Sequence, residues 1–113
     1  MPTVIPPMST VTELTADTFE QAVSGPGVAV LDFWAPWCGP CRIMAPQFER
    51  AAGLRPDYRF AKINVDEQPE LAAAFSIRSI PTVAVLRDGK LLGIAPGLIG
   101  ADDLIKALDK VAA

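Results

Sequence analysis

The chain has no histidine, only two cysteines and no surplus of positive charge: 10 Lys and Arg stand against 13 Asp and Glu, a formal charge of −3. Without histidine there is no ordinary general base near neutral pH, no imidazole metal ligand and no Ser-His or Cys-His nucleophile pair. Chemistry has to rest on cysteine, carboxylates or lysine. The mildly acidic balance lacks the clustered Lys and Arg that neutralise phosphates, so neither nucleic acid nor a membrane surface is expected as a ligand. No run of 18 apolar residues occurs, which argues against a membrane span. The first ten residues carry Pro2, Pro6 and Pro7 and no Lys or Arg, a poor match to a signal peptide. A cytoplasmic location is the expectation, and there an isolated C-x-x-C is catalytic or metal-binding more often than structural.

What is present is a chain of 113 residues, 50% apolar, long enough to close one real core without several disulfides or a structural metal. Residues 1–9 read as a loose leader and residues 10–113 as a single domain, expected to act as a monomer. Thr10 to Leu14 alternates as a half-buried strand does. Thr15 to Val23 follows as a capped helix, broken by Ser24-Gly25-Pro26-Gly27. Val28 to Trp34 is almost continuously apolar, β-branched or aromatic, as in a strand covered on both faces of a parallel sheet.

After the turn Ala35-Pro36-Trp37, the spacing of Ile43, Met44, Phe48 and Ala52 predicts a helix from about Cys38 to Gly53. Pro40 falls in its first turn, where a missing N–H costs nothing, and Pro46 falls inside it as an expected kink. Phe60 to Val65 is the next strand, Pro69 to Phe75 a short helix and Thr82 to Arg87 a strand. Asp88-Gly89 turns that strand into Lys90 to Ala95. A last helix runs from about Ala101 to Ala112, with Asp102 and Asp103 early and Lys106 and Lys110 late, complementing its dipole. The order βαβαβαββα implies an α/β fold with a mixed central sheet and helices on both faces.

Both cysteines lie together as Cys38-Gly39-Pro40-Cys41. A disulfide between them closes only a tiny loop, so stapling explains little. At a helix start, unpaired N–H groups and the positive dipole end stabilise a thiolate, which makes Cys38 the nucleophile. Cys41, about one turn further in, is placed to resolve a mixed disulfide formed at Cys38. Gly39 lets the backbone turn closely and Pro40 stiffens the helix start. Two competing readings stay open: a metal cluster bridged between two chains, since two ligands fall short of a zinc site within one, and two incidental buried cysteines.

Trp34-Ala35-Pro36-Trp37-Cys38-Gly39-Pro40-Cys41-Arg42 resembles the active-site signature of the thioredoxin family, and the resemblance extends from about Thr12 to Val111. It includes Asp32-Phe33, Pro46, Lys62 and Asp66 on the third strand, Ile80-Pro81-Thr82 and Gly97. The resemblance implies the thioredoxin fold and a protein-disulfide reductase with no bound cofactor, whose redox-active disulfide is Cys38–Cys41. It implies as partners disulfide-containing client proteins and a flavin-dependent thioredoxin reductase using NADPH. The Gly39-Pro40 pair is similar to that of the reducing members, whereas oxidising and isomerase relatives carry a histidine there. An oxidant or isomerase, and a non-catalytic binding subunit that uses the apolar surface, are the alternatives.

Asp32 is the only charge in the run Val28 to Trp34, and an isolated buried carboxylate is costly enough to need a raised pKa or a partner. It is either a structural acid bonded to backbone or, as the resemblance implies, the general acid and base that handles the Cys41 proton through water. Lys62, on the adjacent strand, is either solvated or close enough to tune Asp32. From sequence alone Pro81 opens a strand as an ordinary trans residue, because cis X-Pro bonds are a small minority, about 5–6%. The resemblance instead implies a cis Pro81 against the cysteines, with the backbone of Ile80 free to bond an extended client segment. Trp37, Ile80, Pro81, Gly97 and Leu98 are then expected to form an apolar rim around Cys38 that binds clients. Ser79, Pro96 and a stretch from Ala51 to Arg59 that is about one residue short depart from the family pattern and bear on partner preference.

Overall fold

A computed structural model describes residues 11–113. Its elements are β1 (Val11–Glu13), α1 (Ala16–Val23), β2 (Val28–Trp34), α2 (Gly39–Leu54), β3 (Arg59–Asn64), α3 (Pro69–Ala74), β4 (Thr82–Arg87), β5 (Lys90–Pro96) and α4 (Ala101–Ala112). The expected leader of residues 1–9 and the start of the domain at residue 10 lie outside the described residues. Most strand and helix ends match the sequence reading within a residue. The third strand begins at Arg59 and ends at Asn64, so Asp66 lies in the turn after β3 and not on the strand.

The five strands form one sheet in the order β1-β3-β2-β4-β5. β1 and β2 pair with β3 in parallel, β4 joins β2 antiparallel, and β5 joins β4 antiparallel across the Asp88-Gly89 turn. Asp88 takes a left-handed φ of 51° there, and its carboxylate accepts the Gly27 amide at 2.7 Å. The strand pleat sends alternate residues to opposite faces. Val28 and Val30 of β2 join Phe60, Val83 and Val85 in a core with Met44 and Phe48 of α2 and Leu104 and Leu108 of α4. Ala29, Leu31 and Phe33 join Ala61, Ile63 and Ala84 in a second core, closed by Phe19 and Val23 of α1 and by Leu71 of α3. The helices thus cover both faces, and the near-continuous apolar character of β2 reflects burial on both sides.

The largest fully buried side chains are Phe33, Phe48, Leu31, Met44, Ile63 and Val30, each contributing about 1.5–3 kcal/mol relative to exposure. Ile43 does not share the buried face of α2: it is 62% exposed, one position round the helix from Met44. By the same pleat Asp32 lies on the α2 side of β2 with Val30. Its neighbours in register are Lys62 on β3 and Val83 on β4. β2 thus runs between a parallel and an antiparallel partner and delivers the chain at its C-terminal end into the turn that carries the cysteines, the kind of crevice where open α/β sheets bind ligands.

Candidate active site

Cys38 is the N-cap of α2, in extended conformation, and Gly39 and Pro40 are the first helical residues, where Pro40 forfeits no hydrogen bond. The turn before it is fixed twice. The Cys38 amide donates to the Ala35 carbonyl at 3.2 Å, and the Arg42 guanidinium reaches back to the Pro36 carbonyl at 2.8 and 3.1 Å. Cys38 and Cys41 form a disulfide with their Cα atoms 5.2 Å apart. The Cys41 amide donates to Cys38 Sγ at 3.2 Å. Once the bond is reduced, that sulfur retains a backbone donor and the positive end of the α2 dipole, both of which favour its thiolate.

Cys38 Sγ lies 3.8 Å from the Ile80 carbonyl oxygen, and the Ile80–Pro81 peptide bond is cis. Ala35, Cys38 and Cys41 form a small buried cluster against which Trp34, Val65 and Ile80 pack. The Pro81 carbonyl accepts the Gly97 amide at 2.9 Å. Gly97 has φ 103°, a left-handed conformation that suits glycine alone. Trp37 is 67% exposed, and its indole donates to the Asp66 carboxylate at 2.8 Å. Asp66 is itself held in the turn, its amide donating to Asn64 Oδ1 at 2.9 Å. Trp37 and Ile80 share a depression of about 370 Å³ with Val65, Ile77 and Ser79. Leu98, half exposed, lines a separate groove of about 280 Å³ between β5 and α4 with Gly97, Ile94 and Leu104.

On the other side of the disulfide, Asp32 and Cys41 line one cleft of about 170 Å³ with Trp34, Arg42, Glu49 and Lys62. Asp32 is 4% exposed, and among the described residues its Oδ1 has no hydrogen-bond partner. Burial raises its pKa from 3.8 to about 7, with the nearby Lys62 charge pulling the other way. The Lys62 ammonium sits over the Trp34 ring, 5.0 Å from its centroid, in a cation–π contact. The Trp34 indole in turn donates to Glu13 Oε2 at 3.2 Å.

The candidate residues thus divide into three groups: the sulfurs with Gly39 and Pro40 at the helix start, Asp32 with Lys62 beneath it, and Trp37, Ile80, Pro81 and Gly97 around the opening. Asp66 and Glu13 have places at the site that the sequence reading did not assign. Each reaches a tryptophan through a side-chain hydrogen bond, and neither spacing shows that contact in one dimension. Among the described residues no group of three or more His, Cys, Asp or Glu could hold a metal. No described helix is long and apolar enough to cross a membrane.

The family model described as Thioredoxin matches residues 10–110. The chain is 46% identical over 88 residues to the thioredoxin of Alicyclobacillus acidocaldarius, covering 74% of this chain and 84% of that one. It is 41% identical over 105 residues to thioredoxin 1 of Synechococcus elongatus, covering 91% and 98%. The crystal structure of the Malassezia sympodialis thioredoxin superposes with a TM-score of 0.81 at 33% identity, covering 98% of both chains.

Proposed function

The chain belongs to the thioredoxin family, and from that premise we propose how its residues divide the work of a protein-disulfide reductase. Members of the family are thiol–disulfide oxidoreductases that carry no cofactor, act on disulfide-containing clients and are recycled by a thioredoxin reductase. The observation that carries the assignment here is the Cys38–Cys41 disulfide at the N-terminus of α2, with the Cys41 amide directed at Cys38 Sγ.

In the reduced protein the Cys38 thiolate attacks one sulfur of a client disulfide. A bond forms between Cys38 Sγ and that sulfur, the client S–S bond breaks, and the departing client thiolate takes up a proton. Cys41 then gives its proton to the Asp32 carboxylate across their shared cleft and attacks Cys38 Sγ. The Cys38–Cys41 bond forms, the mixed disulfide breaks, and the second client sulfur leaves and is protonated. Two electrons pass from the protein dithiol to the client. A carboxyl with a pKa of about 7 is matched to this task, since it is partly ionised near neutral pH and returns the proton readily.

Lys62 biases Asp32 toward its charged form, while Gly39 and Pro40 hold the sulfurs in one geometry. Trp37, Ile80, Pro81, Gly97 and Leu98 receive the client, with the Ile80 backbone beside Cys38 available to an extended segment. Electrons are resupplied by a flavin-dependent reductase that draws on NADPH, and the protein works as a monomer in the cytoplasm, without nucleic acid or membrane. The test is reduction of insulin disulfides with NADPH and a thioredoxin reductase. Wild type should turn over steadily and Cys38→Ser should not. Wild type no faster than the variant overturns the reading.

A further inference from the structure

Three charged side chains stand in one row across the α2 face of the sheet. β1 pairs Glu13 with Lys62, and β3 pairs Lys62 with Asp32. Lys62 therefore has a carboxylate on each side, one exposed on the edge strand and one buried in the site. The described ion pairs are Arg50–Asp102 and Arg55–Asp109, so Lys62 closes a contact pair with neither neighbour. Its ammonium instead rests over the Trp34 ring, and the edge of that ring is tied to Glu13. The indole thus links the exposed strand β1 to the buried acid.

We propose that Glu13 is a positioning residue for the site: the hydrogen bond it accepts from the Trp34 indole fixes the ring that carries the Lys62 ammonium, and so holds that cation away from contact with the Asp32 carboxyl. The inference rests on the role given to Asp32 above and extends the proton machinery to β1. A lysine side chain is long and flexible, so with the ring free to turn the ammonium can close on Asp32, where the unpartnered Oδ1 is an available acceptor. A contact pair there stabilises the carboxylate and leaves it a weaker base for Cys41. The other charged groups facing this cleft, Arg42 and Glu49, come from α2, and β4 brings only Val83 against Asp32. Arg42 is committed to the Pro36 carbonyl.

The experiment follows the Asp32 carboxyl directly, by its ¹³C resonance across a pH titration of the full-length oxidised protein. Glu13→Ala removes the acceptor and should move the Asp32 midpoint down by on the order of one pH unit. Trp34→Phe, which keeps a ring but loses the N–H, should do the same and serves if Glu13→Ala destabilises the edge strand. Glu13→Gln keeps an acceptor oxygen and should titrate as wild type. In a Lys62→Met background Glu13→Ala should have no effect, because the cation being positioned is gone. An unmoved midpoint in both Glu13→Ala and Trp34→Phe, an equal shift in Glu13→Gln, or a shift that survives Lys62→Met overturns the proposal. Failure of the role of Asp32 itself would show differently, as an unchanged rate of client reduction in Asp32→Asn.

Discussion

Asp32 and Lys62 are in register on adjacent strands, yet the lysine ammonium lies over Trp34 and one oxygen of the buried carboxyl has no partner among the described residues. A contact ion pair would satisfy both groups and hold Asp32 ionised at every physiological pH. The observed arrangement leaves the carboxyl able to gain and lose a proton near neutrality. That is costly for folding and useful for a thiol that must be deprotonated on demand.

The cost is measurable as a pH dependence. Asp32 has a pKa of about 7 in the folded oxidised protein against 3.8 as its ordinary value. Between those values the folded state holds a proton that the unfolded chain has released, so stability is greatest below about pH 4 for this group and falls as pH rises through 7. At roughly 1.4 kcal/mol per unit the loss reaches up to about 4 kcal/mol by pH 8. Asp32→Asn should remove this slope and be the more stable protein at pH 8, with the advantage shrinking toward pH 4. Denaturant midpoints of both proteins at pH 4, 6 and 8 check it, and parallel curves would contradict it.

The two sulfurs should separate in a trapping experiment. Cys41→Ser leaves the attacking thiolate but removes the group that resolves the mixed disulfide, so the variant should accumulate a covalent complex with a client and turn over only once. Cys38→Ser should form no such complex, since it is Cys38 Sγ that lies beside the Ile80 carbonyl and accepts the Cys41 amide, whereas Cys41 lines the cleft with Asp32. Non-reducing gels and intact mass measurements report both outcomes, and a complex through Cys41 alone would reverse the assigned roles.

Much of this was readable before the structure, and the reasons differ between residues. Val28 to Trp34 announces a central strand because burial on both faces leaves no polar alternation, and Cys38 to Cys41 announces a helix start because Pro40 suits few other places. Asp32 stands out as the one charge in that strand. The partners of the tryptophans do not stand out. Glu13 and Trp34 are 21 residues apart and Trp37 and Asp66 are 29 apart, so their hydrogen bonds exist only once the sheet order is set. The exposure of Ile43 has a related cause: the apolar spacing that marks the helix marks its buried face only to within a residue, and one residue turns a side chain by about 100°.

Trp37 combines an apolar face beside the disulfide with a polar tether to Asp66, and two substitutions pull these apart. Trp37→Phe keeps most of the flat surface and loses the tether, and client reduction should fall about twofold in kcat/KM. Trp37→Ala loses both and should fall about tenfold, equivalent to about 1.4 kcal/mol of client binding. Both proteins should fold, because the side chain is mostly exposed. A loss in Trp37→Phe as large as in Trp37→Ala would place the contribution in the Asp66 bond and not in the surface.

Stability and redox chemistry should be separable at Arg59, which opens β3 at the end of the sheet away from the cysteines. Its guanidinium donates to the carbonyls of Ala22 at 2.9 Å and Gly25 at 3.1 Å and also to that of Pro26, tying the end of α1 and the following turn to the sheet. These carbonyls have few other donors where a helix ends, and a planar fork of N–H groups suits three acceptors in a way that an ammonium does not. Arg59→Ala should cost about 1–3 kcal/mol, and Arg59→Lys should recover only part of it. Thermal unfolding should shift down by several degrees for each kcal/mol lost. Insulin reduction at 25 °C should stay at the wild-type rate, because the Cys38–Cys41 turn, Asp32 and the Ile80–Pro81 step share no hydrogen bond with Arg59. A variant that keeps its melting temperature would show that this end of α1 is held by packing alone, and a variant that melts normally but reduces slowly would reveal a coupling between the two ends of the sheet.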